Sequence, residues 1–198
     1  MIPSFGIIGI GGFGGTYLNK LIPYAKANKI LLAAAVARNP QKYPERVAEL
    51  EGLGCRIFPD TLTMYREMAG KLDVIGGPTG IDTHCLYTCE ALAHGCNVLV
   101  EKPAAGTTQE VAEMMAAEAA APGKWVMVGF QHICAPEIQE LKTRLVNREF
   151  GSIKRIIAMG RWPRPDAYYS RNDWAARLRT PSGAIVNDSP INNAFAHY

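Results

Sequence analysis

Gly9, Gly11 and Gly14 follow the apolar run Ile7-Ile8-Gly9-Ile10 in the spacing Gly-x-Gly-x-x-Gly, with Gly12 and Phe13 set among them. Glycines so placed after a strand permit a tight turn, let backbone N–H groups approach a pyrophosphate, and let the next helix pack close, with the anion at its N-terminus. Far along the chain a second apolar run, Val98-Leu99-Val100, ends in Glu101-Lys102-Pro103. A lysine at the carboxyl end of a strand stands where open α/β sheets bind ligands. One group would hold a dinucleotide and the other would set an ammonium beside it, a pairing that points to redox chemistry.

Those groups need a scaffold. Strand and helix signals alternate through the first two-thirds of the chain, the pattern of a Rossmann-type doubly wound parallel sheet with helices on both faces. Tyr17, Leu18, Leu21 and Ile22 make an apolar stripe at helical spacing, and Pro23 marks where that helix should weaken. Further strands are predicted at 30–37, 56–58, 73–75, 97–100 and 125–129, and helices at 44–50, 61–68, 84–93, 108–120 and 136–149. Asp60 or Thr61, and Thr107 or Thr108, are candidate N-caps, and Gly95 is a helix stop. The breaker cluster Gly76-Gly77-Pro78-Thr79-Gly80 reads as a loop over the cofactor. The dinucleotide-binding domain is predicted to span 1–130. Residues 131–198 are expected to begin a smaller α+β domain, with a long strand at 153–159, an irregular polar-aromatic stretch at 161–179, and a new helix after Asp188-Ser189-Pro190.

The loop GIIGIGGFG, the segment from GPTGIDTH through ALAHGCNVLVEKP, the strand VMVGFQH and the closing SGAIVNDSPINNAFAHY together resemble the Gfo/Idh/MocA family of NAD(P)-dependent oxidoreductases. Members of that family usually continue much further, into a large and mostly antiparallel C-terminal sheet, so the resemblance implies a chain cut short in its second domain. It also implies that Lys102 lies near the nicotinamide and the substrate hydroxyl. The chemistry of the residue agrees, because a lysine can hold and polarise an alkoxide that is losing hydride, and burial beside a cationic ring would lower its pKa. A surface lysine on a loop is the plainer alternative. Glu101 would orient Lys102 or a ribose, Pro103 would fix the turn, and Pro78, Thr79 and His84 would join the glycine loop as cofactor contacts.

Near the C-terminus the family carries an Asp and, four residues later, a His that acts as acid/base. Asp188 fills the first place, but the second is Asn192. Asparagine donates and accepts hydrogen bonds without taking a proton near neutral pH, so either Lys102 with Asp188 carries the proton or the substrate differs. His197 is either a substitute or a structural residue.

Cofactor choice is read from the end of the second strand, where an acid would bind the ribose hydroxyls of NAD and repel the phosphate of NADP. The sequence there is Ala37-Arg38-Asn39. A guanidinium suits a phosphate, so NADP is expected in preference to NAD, with a solvent-exposed arginine as the alternative. The group Trp162, Tyr169, Arg171 and Asn172 combines aromatic faces with hydrogen-bonding heads, as carbohydrate sites do. Packing of Trp162 and Trp174 into a core is the bland reading.

Composition bounds the rest. In 198 residues, 48% hydrophobic and 20% charged, no run is apolar enough to cross a bilayer, and a net charge of +3 is too small to argue for nucleic acid. Five cysteines without a Cys-x-x-Cys pair fit reduced thiols. Cys85, Cys89 and Cys96, near His84 and His94, read as buried small hydrophobes rather than a metal site. The start of the chain runs directly into the first strand without a leader pattern, so a cytoplasmic location is expected. An unpaired edge at 153–159 would seek a partner and predicts a homo-oligomer. Two functional classes remain: a dehydrogenase acting on a secondary alcohol of a sugar or cyclitol, and a catalytically impaired sensor or remnant that binds the dinucleotide without turnover.

Overall fold

A computed structural model describes residues 2–157, 159, 163, 165–170, 175, 177–180, 182–183 and 185–186. It divides into two compact units, Met1–Val128 and Gly129–Tyr198.

In the first unit, six parallel strands lie in the order β3-β2-β1-β4-β5-β6, with β1 Ser4–Ile8, β2 Leu31–Val36, β3 Arg56–Phe58, β4 Val74–Gly77, β5 Asn97–Val100 and β6 Val126–Val128. After β3 the chain crosses to the far side of β1, so β1 and β4 flank the point where strand order reverses. Crevices at such points, off the carboxyl ends of the strands, are where this architecture takes ligands. The helices are α1 Phe13–Lys26, α2 Pro44–Gly52, α3 Thr61–Glu67, α4 His84–Ala93 and α5 Thr108–Ala119.

Alternate strand side chains go to opposite faces, with a register shift in β2 opposite Phe5 and Gly6 that leaves Leu32 and Ala35 on one face, and the core is accordingly double. Ile7, Ala35 and Leu32 pack with Leu18 and Ile22 of α1 and Leu50 of α2. Ile8, Ala34, Val98 and Val100 pack instead with Met64 and Tyr65 of α3, Leu92 of α4 and Met114 of α5. Local chemistry fixes the helix starts. Asp60 caps α3, accepting from the Thr63 N–H at 2.7 Å, and Thr107 with Glu110 forms a reciprocal capping box on α5. At the amino ends of the central strands the Asp73 carboxylate clasps Ser4, accepting from its N–H at 2.7 Å and its hydroxyl at 2.8 Å, which ties the starts of β1 and β4 together.

The structure corrects several expectations. β1 ends at Ile8, inside the apolar run 7–10, because Gly9 turns to φ 96°. Helix α1 runs through Pro23 to Lys26; the Pro23 carbonyl still accepts from the Ala27 N–H at 3.0 Å, and a proline in the last turn removes only one donor. Gly76 and Gly77 belong to β4, not to a loop, because Ile7 on one side and Leu99 and Val100 on the other pair with them. Tertiary pairing overrides their poor strand propensity.

In the second unit α6 spans Pro136–Val146, ending three residues short of its predicted end, and Arg144 pairs with Glu149 at 2.8 Å beyond it. The strand expected at 153–159 does not form among the described residues. Ile156 and Ile157 are 77% and 78% exposed, and a β-branched run without a partner strand has nothing to accept its backbone hydrogen bonds. Helix α7 is Asp166–Tyr169, and an isolated bridge joins Arg179 to Ile185. The helix expected after Asp188 lies outside the described residues. No helix among the described residues is long and apolar enough to cross a membrane.

Candidate active site

Three loops leave the carboxyl ends of β1, β4 and β5, and together they make the crevice. The first is the glycine loop. Gly9 donates its N–H to the Val36 carbonyl at 3.0 Å, which anchors the turn to β2. Gly14 is demanded by close approach: a Cβ there would lie 2.2 Å from the Gly9 carbonyl oxygen. At Gly11 a Cβ would instead meet the Tyr43 ring, also at 2.2 Å, so it is a side chain that crowds this glycine. Gly12 sits at φ 54° and carries no side-chain cap for α1, whose first turn is free of acidic residues. The N–H groups at this helix end thus face neither a carboxylate nor a capping oxygen from their own helix, the condition under which a phosphate is attracted. Phe13 is 55% exposed beside them. The conformation fits a dinucleotide pyrophosphate.

A cleft of about 500 Å³ opens next to this loop, lined by Ile10, Gly11, Gly12 and Gly15 on one side and by Lys42, Tyr43, Pro44, Glu45, Arg46 and Glu49 on the other. Arg46 is engaged by Glu49 at 3.1 Å and by the Asn19 side chain at 2.7 Å. Arg38 is exposed just beyond β2 and is not among the residues lining the cleft. Lys42, Tyr43 and Arg46 went unremarked in the sequence. The one signal for them was a pair of basic residues spaced across Pro44, at the start of a helix that a Rossmann half places beside the glycine loop.

The second loop follows β4. Pro78 is buried, and its carbonyl oxygen lies 3.9 Å from where a Gly9 Cβ would be, so this loop runs alongside the glycine turn. Thr79 accepts a hydrogen bond from the Thr83 hydroxyl at 2.9 Å.

The third is Glu101-Lys102-Pro103, in which the Lys102–Pro103 peptide is cis. Two side chains from different helices hold it. The Tyr17 hydroxyl of α1 donates to Glu101 Oε1. His84, the first residue of α4, places Nδ1 2.9 Å from the Pro103 carbonyl oxygen. A carbonyl can only accept, so Nδ1 carries the proton and Nε2 is the bare nitrogen of a neutral ring. Nε2 is buried with no hydrogen-bond partner among the described residues, and His84 borders a cavity of about 10 Å³ lined by Thr79, Tyr87, Thr88, Val98 and Val100, among others. Burial pulls the His84 pKa below its ordinary value, against the opposing effect of the hydrogen bond to Pro103. Only 2% of the His84 surface is exposed, and its contact with the lysine triplet is the one to the Pro103 carbonyl.

The Tyr17–Glu101 contact brings the glycine-loop helix and the lysine-bearing triplet to one place, and Lys102, half-buried, follows directly. The other expected residues belong to the second unit. Tyr169 is on α7 in the second unit, its ring edge-on to Tyr168 with centroids 5.3 Å apart. Asp188, Asn192, Trp162, Arg171 and Asn172 lie outside the described residues. Of the cysteines, Cys55, Cys85 and Cys96 are buried, and burial pushes the Cys55 thiol up to about 12.

Residues 4–130 match the family model of the Gfo/Idh/MocA oxidoreductase family, NAD-binding Rossmann fold. The inositol 2-dehydrogenase of Burkholderia cenocepacia is 25% identical over the full length of this chain, which covers 52% of that relative; that of Burkholderia ambifaria is 31% identical over 66% of this chain and 37% of its own length. The chain therefore spans about half the length of the curated relatives it matches, or less. Among solved structures, the WlbA dehydrogenase from Bordetella pertussis, in complex with NADH and UDP-GlcNAcA, superposes with a TM-score of 0.69 at 22% identity, over 88% of this chain and 50% of that one. The myo-inositol 2-dehydrogenase from Lactobacillus plantarum gives 0.65 at 24% identity, over 77% and 43%. These likenesses show a shared fold.

Proposed function

From the premise that this chain belongs to the Gfo/Idh/MocA oxidoreductase family, we propose that it serves a dehydrogenase that moves hydride between a nicotinamide dinucleotide and a secondary alcohol of a sugar or cyclitol. The observation that carries this reading is the junction of Tyr17 and Glu101, which sets the anion-ready turn and the lysine triplet on one crevice. The dinucleotide, when bound, accepts or returns the hydride. Gly9, Gly11, Gly12, Phe13 and Gly14 hold its pyrophosphate by backbone N–H groups, and Pro78 and Thr79 border it. Lys102 holds the substrate oxygen and stabilises the charge left on it as the carbon is oxidised. Asp188 takes part in moving the proton, and Trp162, Tyr169, Arg171 and Asn172 grip the polyol.

NADP is the preferred form in this reading. Arg38 follows β2 where a ribose-binding acid would stand, and Lys42 lines the neighbouring cleft, whose Arg46 is engaged by Glu49. Cyclitols and nucleotide sugars are the substrate classes to try first, since the similar proteins are inositol dehydrogenases and a dehydrogenase held with a UDP-sugar. The second reading, a sensor that binds without turnover, is favoured by Asn192 at the place of the family's proton-carrying histidine. Assembly into a homo-oligomer is part of the proposal, supported by the exposure of Ile156, Ile157 and Met159 at 77%, 78% and 76%. A monodisperse monomer in light scattering would refute it.

The test titrates the purified chain with NADH and NADPH, following nicotinamide fluorescence, and then offers myo-inositol and UDP-sugars with the oxidised cofactors. Binding with turnover supports the dehydrogenase. Binding alone supports the sensor, and binding of neither dinucleotide removes both.

A further inference from the structure

Both oxygens of the Glu101 carboxylate are engaged. Oε1 accepts from the Tyr17 hydroxyl, and Oε2 lies 3.3 Å from the Lys102 backbone nitrogen, whose N–H donates to it. Tyr17 stands on α1 about one turn past Gly14, yet its partner is 84 residues away in sequence. Its ring is fixed from two sides, edge-on to Phe13 with centroids 5.7 Å apart, and beside Gly76 of β4, where an added Cβ would touch the ring at 3.9 Å. Packing therefore sets the hydroxyl, the hydroxyl sets the carboxylate, and the carboxylate holds the amide of the lysine. Burial first, and then the bond to Glu101, raise the phenol pKa far above its ordinary value, so the hydroxyl stays a donor at every working pH.

We propose that Tyr17 is a positioning residue for Lys102: through Glu101 it registers the lysine triplet against the helix that begins in the glycine loop. The inference rests on reading this crevice as a dinucleotide-dependent active site. Tyr17 itself touches neither hydride nor proton. Its role is to keep the triplet from drifting, since small misplacement of a reacting group is costly in rate.

Tyr17→Phe deletes the hydroxyl and keeps the ring. The expected result is a roughly tenfold faster hydrogen exchange of the Lys102 amide, with the amides of β1 and β4 unchanged, the size being that of one lost bond to a charged acceptor. Turnover should fall about tenfold at nearly constant KM and constant NADH affinity, because the ground-state dinucleotide contacts are intact. In a Glu101→Ala background, Tyr17→Phe should add nothing, as two members of one linkage are not additive. Unchanged exchange at Lys102 in Tyr17→Phe, or independent effects of the two substitutions, would overturn the proposal. Should the wild-type chain bind no dinucleotide, the functional reading fails, while the exchange measurement still decides for or against Tyr17 as the anchor.

Discussion

The two ends of the crevice are made of different material. At the glycine loop the surface is backbone, shaped by what side chains are missing, and its tolerances are set by peptide groups such as the Gly9 carbonyl that no rotamer can move aside. At the lysine triplet the surface is a side chain on a short turn, held by two other side chains, Tyr17 and His84, that reach in from helices on opposite faces of the sheet. The first end is local and readable as a spacing. The second is assembled from three separate stretches of chain, and its precision depends on hydrogen bonds that a single atom change can remove.

Substitutions at the two ends should therefore separate binding from chemistry. The largest effect is expected from Lys102→Ala, a loss of turnover of about 10²–10⁴-fold with dinucleotide affinity nearly unchanged, read by steady-state kinetics beside a fluorescence titration. A parallel loss of affinity would erase the distinction. Gly14→Ala comes next: a methyl 2.2 Å from the Gly9 carbonyl oxygen must displace backbone. It should cost about 3 kcal/mol of stability, seen as a lower denaturation midpoint, and weaken NADH binding. At Gly11 the same substitution meets only the end of the Tyr43 side chain, so a markedly smaller loss in both assays is expected; equal losses would show that the loop's tolerance is not set as described.

His84 tests the second end by a different route. Replacing it with leucine leaves the Pro103 carbonyl unsatisfied at a cost of about 1–3 kcal/mol, whereas His84→Asn keeps a donor near the Nδ1 position and should recover part of the loss. The folded ring binds its proton less readily than the unfolded one, so acid favours unfolding. This contribution to stability is whole above about pH 6.5 and is lost as pH falls from there toward the folded value. Denaturation midpoints measured through that window should decline in the wild-type chain and decline less in His84→Asn; identical slopes would remove His84 as the cause. The smallest shift belongs to Arg38→Asp, an approximately tenfold swing from NADPH toward NADH in the ratio of dissociation constants. An unmoved ratio would transfer the preference to Lys42.

How much of this was legible follows the same division. The glycine loop, the Thr107 cap with Glu110 three residues on, and the strand Asn97–Val100 that delivers Glu101 all carry their signals within a few residues of themselves. The role of Tyr17 did not. At helical spacing with Leu18, Leu21 and Ile22 it reads as one more apolar position, and its ring does pack there, while the hydroxyl answers to a partner in a distant segment. His84 is a cofactor contact by resemblance alone, and no local pattern shows that its ring is buried against the Pro103 carbonyl. The stretch 153–159 has strand composition but pairs with no strand among the described residues, and pairing is what no local pattern contains.

Alternation along β5 has one more consequence. Val98 and Val100 both enter the core shared with α4, so Glu101, the next residue in the count, emerges toward α1. What decides whether the carboxylate or the ammonium meets Tyr17 is thus an odd or even number of residues between the start of β5 and its end. Val98 and Val100, 2% and 1% exposed, constrain volume in this strand, and a single deletion within it would bring Lys102 to the place where Glu101 now meets Tyr17.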